Sequence, residues 1–180
     1  MPNWCWNLLQ VTGNRAGLAE FKKKAKTKEV RDDKGELSSI GSDLSLNNFV
    51  PMPKELNIDR GYFGDDKLKQ SEVDRIGKEN LKKFGAKDWY DWHVQNWGTK
   101  WDVEATLQSK SGDMLEYWFD SAWAPPVQWL VSVSEQYPKL KFELEYDEPG
   151  MCFSGTATAE NGELDDDYRE GECNDGDSDE

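Results

Sequence analysis

Alternating apolar and polar positions predict several β-strands, because side chains along a strand point to opposite faces with a period of two. Residues 4–12 have apolar side chains on both faces of the predicted strand, which places it near the centre of a sheet. Residues 101–108 and 115–120 alternate on either side of a Ser-Gly-Asp turn and predict a hairpin. Residues 140–147 show the clearest alternation in the chain.

A last pair of strands is predicted after residue 150. Residues 151–159 and 163–168 flank Asn161-Gly162, and Asn-Gly is a combination preferred in two-residue hairpin turns. The second of these segments is only weakly apolar, so this hairpin has the least distinct pattern.

Three helices are predicted from apolar residues spaced three and four apart. The first begins after Asn14, a residue type that favours the N-cap position. The second covers residues 68–84, and the third runs from Val127 to Tyr137. An aromatic run at residues 89–101 precedes the central hairpin.

The order of elements is strand, helix, insertion, two strands, helix and two strands. Without the insertion and the last strand this is βαββαβ, the ferredoxin-like plait, an antiparallel sheet with both helices on one face. We therefore predict an α+β fold with a single domain over residues 1–159, a helical insertion at about 27–98 and an extra C-terminal strand or hairpin. Residues 160–180 are predicted to form a disordered acidic tail.

The net charge is negative and unevenly distributed. The chain has 36 acidic and 22 basic residues, a formal net charge of −14 over 180 residues. Residues 160–180 hold eleven of the acids and one base, so residues 1–159 carry a net charge of only −4. This composition argues against a general nucleic-acid-binding protein, which needs a basic surface to displace counterions from phosphates.

Catalytic signatures are absent from the sequence. It contains no phosphate-binding glycine loop, no Gly-x-Ser-x-Gly turn and no His-Glu-x-x-His motif, so no catalytic residue, metal site or cofactor is predicted. His93 is the only histidine and hence the default acid–base candidate. On a helix, however, it shares a stripe with Trp89 and Trp97, and packing of that stripe is the simpler interpretation.

A cytoplasmic location is expected. The first residues show no signal-peptide pattern, and no apolar stretch is long enough to span a membrane. Cys5, Cys152 and Cys173 are an odd number without the close spacing of a metal site, which is typical of reduced thiols.

Several strings of the sequence carry a family resemblance. They are MPNWC at 1–5, NWGTKWD at 96–102, AWAPP at 122–126, and YDEPG with FSG within 146–155. In these strings the chain resembles the phage- and plasmid-borne family with a YubB-like, ferredoxin-like domain, over most of residues 1–155. The resemblance implies a ferredoxin-like domain carried by mobile genetic elements and located in the host bacterial cytosol. It implies no particular reaction and no set of catalytic residues.

The string at 96–102 has two interpretations. Lys100 and Asp102 are predicted to share one face of a strand, flanked by Trp97 and Trp101, where they could grip a polar ligand. They could equally form a salt bridge at a sheet edge that contributes little to stability. The alternation that continues through Trp101 favours the structural interpretation.

Trp118 is the best candidate for an exposed aromatic side chain, because the apolar residues of its predicted strand occupy the opposite face. A ferredoxin-like sheet can stack nucleic-acid bases on such residues. Glu116 and Asp120 flank Trp118 on the same face, however, and their charges repel phosphates.

We therefore expect a non-enzymatic phage or plasmid protein that binds a host protein, such as a nucleic-acid-handling or defence factor. Its acidic residues would mimic DNA phosphates and compete for a basic surface, although a merely solubilising tail is the alternative. The predicted partner-binding residues are Trp97, Lys100, Asp102, Trp118, Asp165, Asp166, Asp167, Glu170 and Glu172. A single-stranded nucleic-acid-binding module using sheet aromatics is one rival function, and an enzyme centred on His93 is another. The sequence predicts no oligomeric state.

Overall fold

The computed structural model describes residues 2–28, 30–31, 37–39, 41–58 and 67–171. Eight strands and four α-helices occur in these ranges. In chain order they are β1 Trp4–Gly13, α1 Arg15–Ala25, β2 Val30–Arg31, β3 Leu37–Ser39, α2 Lys67–Phe84, α3 Trp89–Asn96, β4 Thr106–Lys110, β5 Met114–Ala122, α4 Val127–Gln136, β6 Leu140–Glu148, β7 Phe153–Glu160 and β8 Glu163–Glu170.

Six strands form one antiparallel sheet with the order β4-β5-β1-β6-β7-β8. The predicted α+β class and the ferredoxin-like antiparallel sheet are confirmed. The central position expected for β1 is confirmed as well, since it pairs with β5 on one side and with β6 on the other. β2 and β3 form a separate two-stranded ribbon.

Aromatic residues dominate the core between the sheet and helices α1 and α4. Phe21 of α1 lies 5.5 Å from Phe142 and 6.1 Å from Tyr117, both on the sheet, measured between ring centroids. Phe49 stacks on Phe21 at 4.8 Å and contacts Trp129 of α4 at 5.7 Å. The two helices and the segment 41–58 therefore pack over the same face of the sheet.

The segment 41–58 and helix α3 are tied to this core by indole hydrogen bonds. The Nε1–H of Trp97 donates to the Val50 carbonyl oxygen at 2.9 Å, and that of Trp129 donates to the Leu46 carbonyl oxygen at 3.1 Å. These bonds satisfy buried indole N–H groups that would otherwise cost free energy. The segment 41–58 and helix α3 are thus part of the folded body.

The helix boundaries follow the local signals in the sequence. The Asn14 side chain accepts a hydrogen bond from the Gly17 N–H at 2.9 Å, which caps α1. Gly85 after α2 and Gly98 after α3 have φ of +76° and +88°, the left-handed conformation that ends many helices.

The predicted strand at 101–108 is wrong over its first half, because β4 begins only at Thr106. The preceding backbone is hydrogen-bonded to the insertion instead of to a neighbouring strand. The Ser42 hydroxyl oxygen accepts from the Ala105 N–H at 2.8 Å, and the Asp43 N–H donates to the Ala105 carbonyl oxygen at 3.0 Å. Residues 101–105 therefore form an irregular connection.

The sheet continues beyond the predicted domain end at residue 159. β7 and β8 form the expected C-terminal hairpin, and its turn has φ of +50° at Asn161 and +83° at Gly162. The segment predicted as a disordered tail therefore contains a regular strand over Glu163–Glu170, while 172–180 lies outside the described residues.

Two further expectations concern the membrane and the cysteines. Within the described ranges, no helix has the length and apolar character needed to cross a bilayer. Cys5 is buried and free, whereas Cys152 is disulfide-bonded. The expectation of reduced thiols is therefore wrong for Cys152, and the cysteines no longer support a reducing compartment.

Replacement of Phe21 should destabilise the whole domain, because its ring is fully buried between sheet, α4 and the insertion. Phe21→Ala is expected to lower the free energy of unfolding by about 3–5 kcal/mol. Urea denaturation followed by far-UV circular dichroism measures this change. Lys23→Ala, an exposed position on the same helix, should change stability by about 0.5 kcal/mol or less. Equal effects of the two changes would contradict this description of the core.

Candidate functional site

The face of the sheet opposite the helices, here called the open face, carries an unusual charge. Strand register places nine acidic side chains of β5, β6, β7 and β8 on it, against two basic ones, Lys141 and Arg169. The acids are Glu116, Asp120, Glu143, Glu145, Asp147, Glu160, Glu163, Asp165 and Asp167. This face is therefore more acidic for its size than the chain as a whole.

Cross-strand pairing aligns these acids in rows across the sheet, with threonines of β7 between the acids of β6 and β8. In one row Glu145 of β6 pairs with Thr156 of β7, which pairs with Asp167 of β8. Glu160 and Glu163 are directly opposite each other. Like charges at directly opposite positions destabilise a sheet, so folding alone does not favour this pair.

Tryptophan side chains lie among the acids and form what we call the tryptophan patch, Trp4, Trp6, Trp101 and Trp118. Trp6 meets Trp118 edge-to-face at 5.9 Å, and Trp4 meets Trp101 at 6.1 Å between centroids. Trp4 and Trp118 expose 50 % and 45 % of their surface. Clustered exposed tryptophans are typical of binding surfaces.

Two concave regions border the tryptophan patch. A cleft of about 520 Å³ lies between Trp4 and Trp101 and is also lined by Asp102, Glu104 and Asp120. A polar groove of about 350 Å³ lies beside Trp6 and is lined by residues of β6, β7 and β8, including Glu145, Asp147 and Arg169. Together they extend the acidic and aromatic surface across the sheet.

The strand–helix connection next to the patch is strained. Trp123 has φ of +75°, a conformation that is rare for residues other than glycine, and its side chain is 45 % exposed. Its N–H donates to the Asn3 carbonyl oxygen at 2.9 Å, which holds the turn against the start of β1. Strain of this kind is concentrated at functional positions.

Trp97 and Asp102, both predicted to bind a partner, are held by contacts within the domain. Trp97 is 2 % exposed and stacks on His93 at 3.9 Å, so it cannot contact a partner without unfolding. Asp102 accepts hydrogen bonds from the Ser45 hydroxyl and the Leu46 N–H, both at 2.6 Å, and from the Val103 N–H at 2.9 Å. The structural interpretation of this string is supported for both residues.

Lys100 is not paired with Asp102 on a strand, because the segment is irregular. Its ammonium group lies 4.4 Å from the centroid of the Trp101 ring, a cation–π contact. Its carbonyl oxygen accepts the hydrogen bond of the His93 ring. Residues 100–102 lie outside β4, so the shared strand face expected for Lys100 and Asp102 is wrong.

The remaining predicted residues divide between the two faces of the sheet. Trp118, Asp165 and Asp167 lie on the open face. Asp166 points to the other face, where its carboxylate accepts a hydrogen bond from the Tyr146 hydroxyl at 2.7 Å. Glu170 is exposed at the end of β8. Glu172 lies outside the described residues.

His93 and Cys5 are the titratable groups of most interest for catalysis, and both are held in packed surroundings. Nδ1–H of His93 donates to the Lys100 carbonyl oxygen at 2.8 Å, and burial lowers the pKa of His93 despite this bond and the Asp102 charge, which raise it. Burial raises the pKa of the Cys5 thiol to about 12. A protonated, buried thiol is a poor nucleophile.

Sequence reasoning missed most of the open face. It took residues 4–12 as apolar on both sides, which hid Trp4 and Trp6, and it noted the alternation of residues 140–147 without assigning a role to their polar face. The signal that could have found them is the assignment of odd-numbered and even-numbered residues of each strand to opposite faces of the sheet. Once Trp118 is placed on the outer face, antiparallel pairing with a central first strand brings Trp6 and the β6 acids beside it.

Comparison with known proteins supports the fold. Residues 96–180 match the family model described as the ferredoxin-like domain in Api92-like protein. The crystal structure of protein api92 from Yersinia pseudotuberculosis matches with a TM-score of 0.53 at 11 % identity, covering 96 % of this chain and 99 % of that chain. No curated protein matches the chain. At this identity the likeness concerns the fold alone, and the phage or plasmid origin stays a prediction.

Removal of the Asp102 carboxylate should destabilise the fold, because it accepts hydrogen bonds from Ser45 and Leu46 of the insertion and from the Val103 N–H. Asp102→Ala is expected to lower the free energy of unfolding by about 2 kcal/mol, the usual effect of losing bonds to a charged group. Urea denaturation measures the loss. Glu104→Ala, two residues further on and exposed, is the matched control and should be nearly neutral. An equally neutral Asp102→Ala would show that these bonds do not support the connection.

Burial of neutral His93 should make the domain less stable in mild acid. Because its folded-state pKa is below the unfolded value of about 6.5, the unfolded chain binds more protons as the pH falls. The contribution of His93 is therefore complete above the unfolded pKa and is lost as the pH decreases through the folded pKa. Urea midpoints measured between pH values of about 7.5 and 5.5 should fall more steeply for the wild type than for His93→Gln. Parallel profiles would mean that His93 is not held neutral.

Proposed function

We propose that this chain is a non-enzymatic binding protein whose open face docks onto the basic surface of a host protein. The partner would be of the kind that handles nucleic acid, including defence factors, because such proteins present basic surfaces shaped to receive phosphates. As the sequence resemblance implies, the protein would act in the bacterial cytosol on behalf of a phage or plasmid.

The observation that carries this proposal is the combination of nine acidic side chains and the tryptophan patch on one face. Complementary charge accelerates encounter with a basic partner and orients it. Exposed tryptophans then supply the buried anchors that account for most of the binding energy in many interfaces. Neither feature is explained by packing of the domain itself.

The acids that support the proposal come mainly from regular strands. Glu145 and Asp147 of β6, Asp120 of β5, and Asp165 and Asp167 of β8 all lie on the open face. A rigid sheet holds them at fixed spacings, which costs less entropy on binding than ordering a flexible tail. The competition for a basic surface that we expected from the tail is thus assigned here to the sheet.

The rival functions have weaker support. Trp6 and Trp118 could stack bases, but the carboxylates around them repel a phosphate backbone. An enzyme centred on His93 would need a free imidazole, whereas its ring is stacked on Trp97 and hydrogen-bonded to a carbonyl oxygen. We therefore favour protein binding over both.

Neutralising two acids of the open face should weaken partner binding. Glu145→Gln/Asp147→Asn keeps shape and removes two charges, so the captured basic host protein should bind more weakly and with less dependence on salt. The measurement is affinity capture from bacterial lysate, identification by mass spectrometry, and titration of the purified pair at low and high salt. Duplex DNA should displace the chain from its partner.

Glu20→Gln/Glu135→Gln is the matched control. These two acids are exposed on α1 and α4, so the substitutions remove the same amount of charge from the helical side of the sheet. It should bind like the wild type. The proposal would be contradicted by capture of no basic protein, by equal effects of the two double variants, or by a complex that duplex DNA leaves intact.

A further inference from the structure

The cleft between Trp4 and Trp101 has a composition suited to one kind of ligand group. Its lining consists of two indoles and three carboxylates, those of Asp102, Glu104 and Asp120, around a volume of about 520 Å³. The ring centroids of Trp4 and Trp101 are 6.1 Å apart with the planes inclined by 45°, so the two indoles form adjoining walls. Among the described residues of the lining there is no basic side chain.

The carboxylates of the cleft differ in how they are used. Asp102 is engaged by the backbone and hydroxyl groups of the insertion. Within the described part of the chain, the side chains of Glu104 and Asp120 make no hydrogen bond or ion pair, and both are exposed. These two carboxylates are therefore available to bind a cation next to the indole rings.

The protein itself shows that the Trp101 ring accepts a cation. The ammonium group of Lys100 lies 4.4 Å from the centroid of this ring. Lys100 is not among the described residues that line the cleft. A cation held between indoles and carboxylates gains both from the ring quadrupole and from the negative charges.

We propose that this cleft receives an arginine side chain of the protein partner. A planar guanidinium stacks on an indole and offers several N–H donors in fixed directions to two carboxylates, whereas an ammonium is more strongly hydrated and lacks a planar face. The inference rests on the proposed function and names the anchor by which the basic surface is held.

The first test uses capped arginine amide as the probe, with capped citrulline amide as its neutral isostere and capped lysine amide as the other cation. Titration followed by the indole N–H signals in NMR should shift Trp4 and Trp101. Citrulline is expected to bind at least about tenfold more weakly than arginine, and lysine several-fold more weakly. Equal shifts with citrulline would overturn the inference, because the cleft would then not distinguish a cation from its neutral isostere.

The second test uses variants of the cleft. Glu104→Gln/Asp120→Asn should weaken arginine binding about tenfold, whereas the control Glu20→Gln/Glu135→Gln should leave it unchanged. Lysine and arginine shifting the same signals equally would overturn the choice of arginine. If the purified partner still loses affinity with Glu145→Gln/Asp147→Asn but not with the cleft variant, the arginine site is wrong while the proposed function stands.

Discussion

The alternation of side chains along the central strand β1 is the constraint on which the rest of the structure depends. Cys5, Leu9 and Val11 point into the core beneath the helices and are fully buried. The intervening residues, among them Trp4 and Trp6, must then point to the opposite face. A slip of one residue would exchange the two sets, so burial of the core and exposure of the tryptophans are fixed together.

The pairing of β1 with its neighbours determines which residues of the other strands lie on each face of the sheet. β5 is aligned with β1 so that Trp118 lies opposite Leu8, and β6 is aligned so that Glu145 lies opposite the same residue. The register continues through β7 to the acids of β8. One face thereby becomes a hydrophobic core and the other becomes acidic with an aromatic centre. The repulsion among these acids is a cost to the free domain that a basic partner would remove.

Much of the fold could be predicted from the sequence because its signals are local. The β6 alternation, the Asn14 cap and the Asn161-Gly162 turn each depend on residues close together in the chain. The irregular path before Thr106 could not be predicted in this way, because Ala105 is hydrogen-bonded to Ser42 and Asp43, some sixty residues earlier. Local alternation there resembles a strand, and only the distant donors and acceptors show otherwise.

The candidate site was less accessible to sequence reasoning for the same reason. Trp97 belongs to a specific string and was predicted to bind a partner. It is buried instead, and its indole N–H donates to the Val50 carbonyl oxygen, far away in the sequence. The acids of β6 were visible as a polar face, yet their proximity to Trp6 and Asp167 depends on the strand order. Residue type indicated an acidic protein with many tryptophans, and the sheet brings the two features together.

Hydroxyl-radical footprinting of the chain, free and bound to its captured basic partner, tests the central claim most directly. Exposed aromatic and aliphatic side chains report on their own solvent access, so the two faces can be compared in one experiment. Oxidation of Trp4, Trp6 and Trp118 should fall on binding, while the exposed Leu81 and Val94 of the insertion helices should react as before. Protection of Leu81 and Val94 with unchanged oxidation of the tryptophans would show that the open face is not the interface.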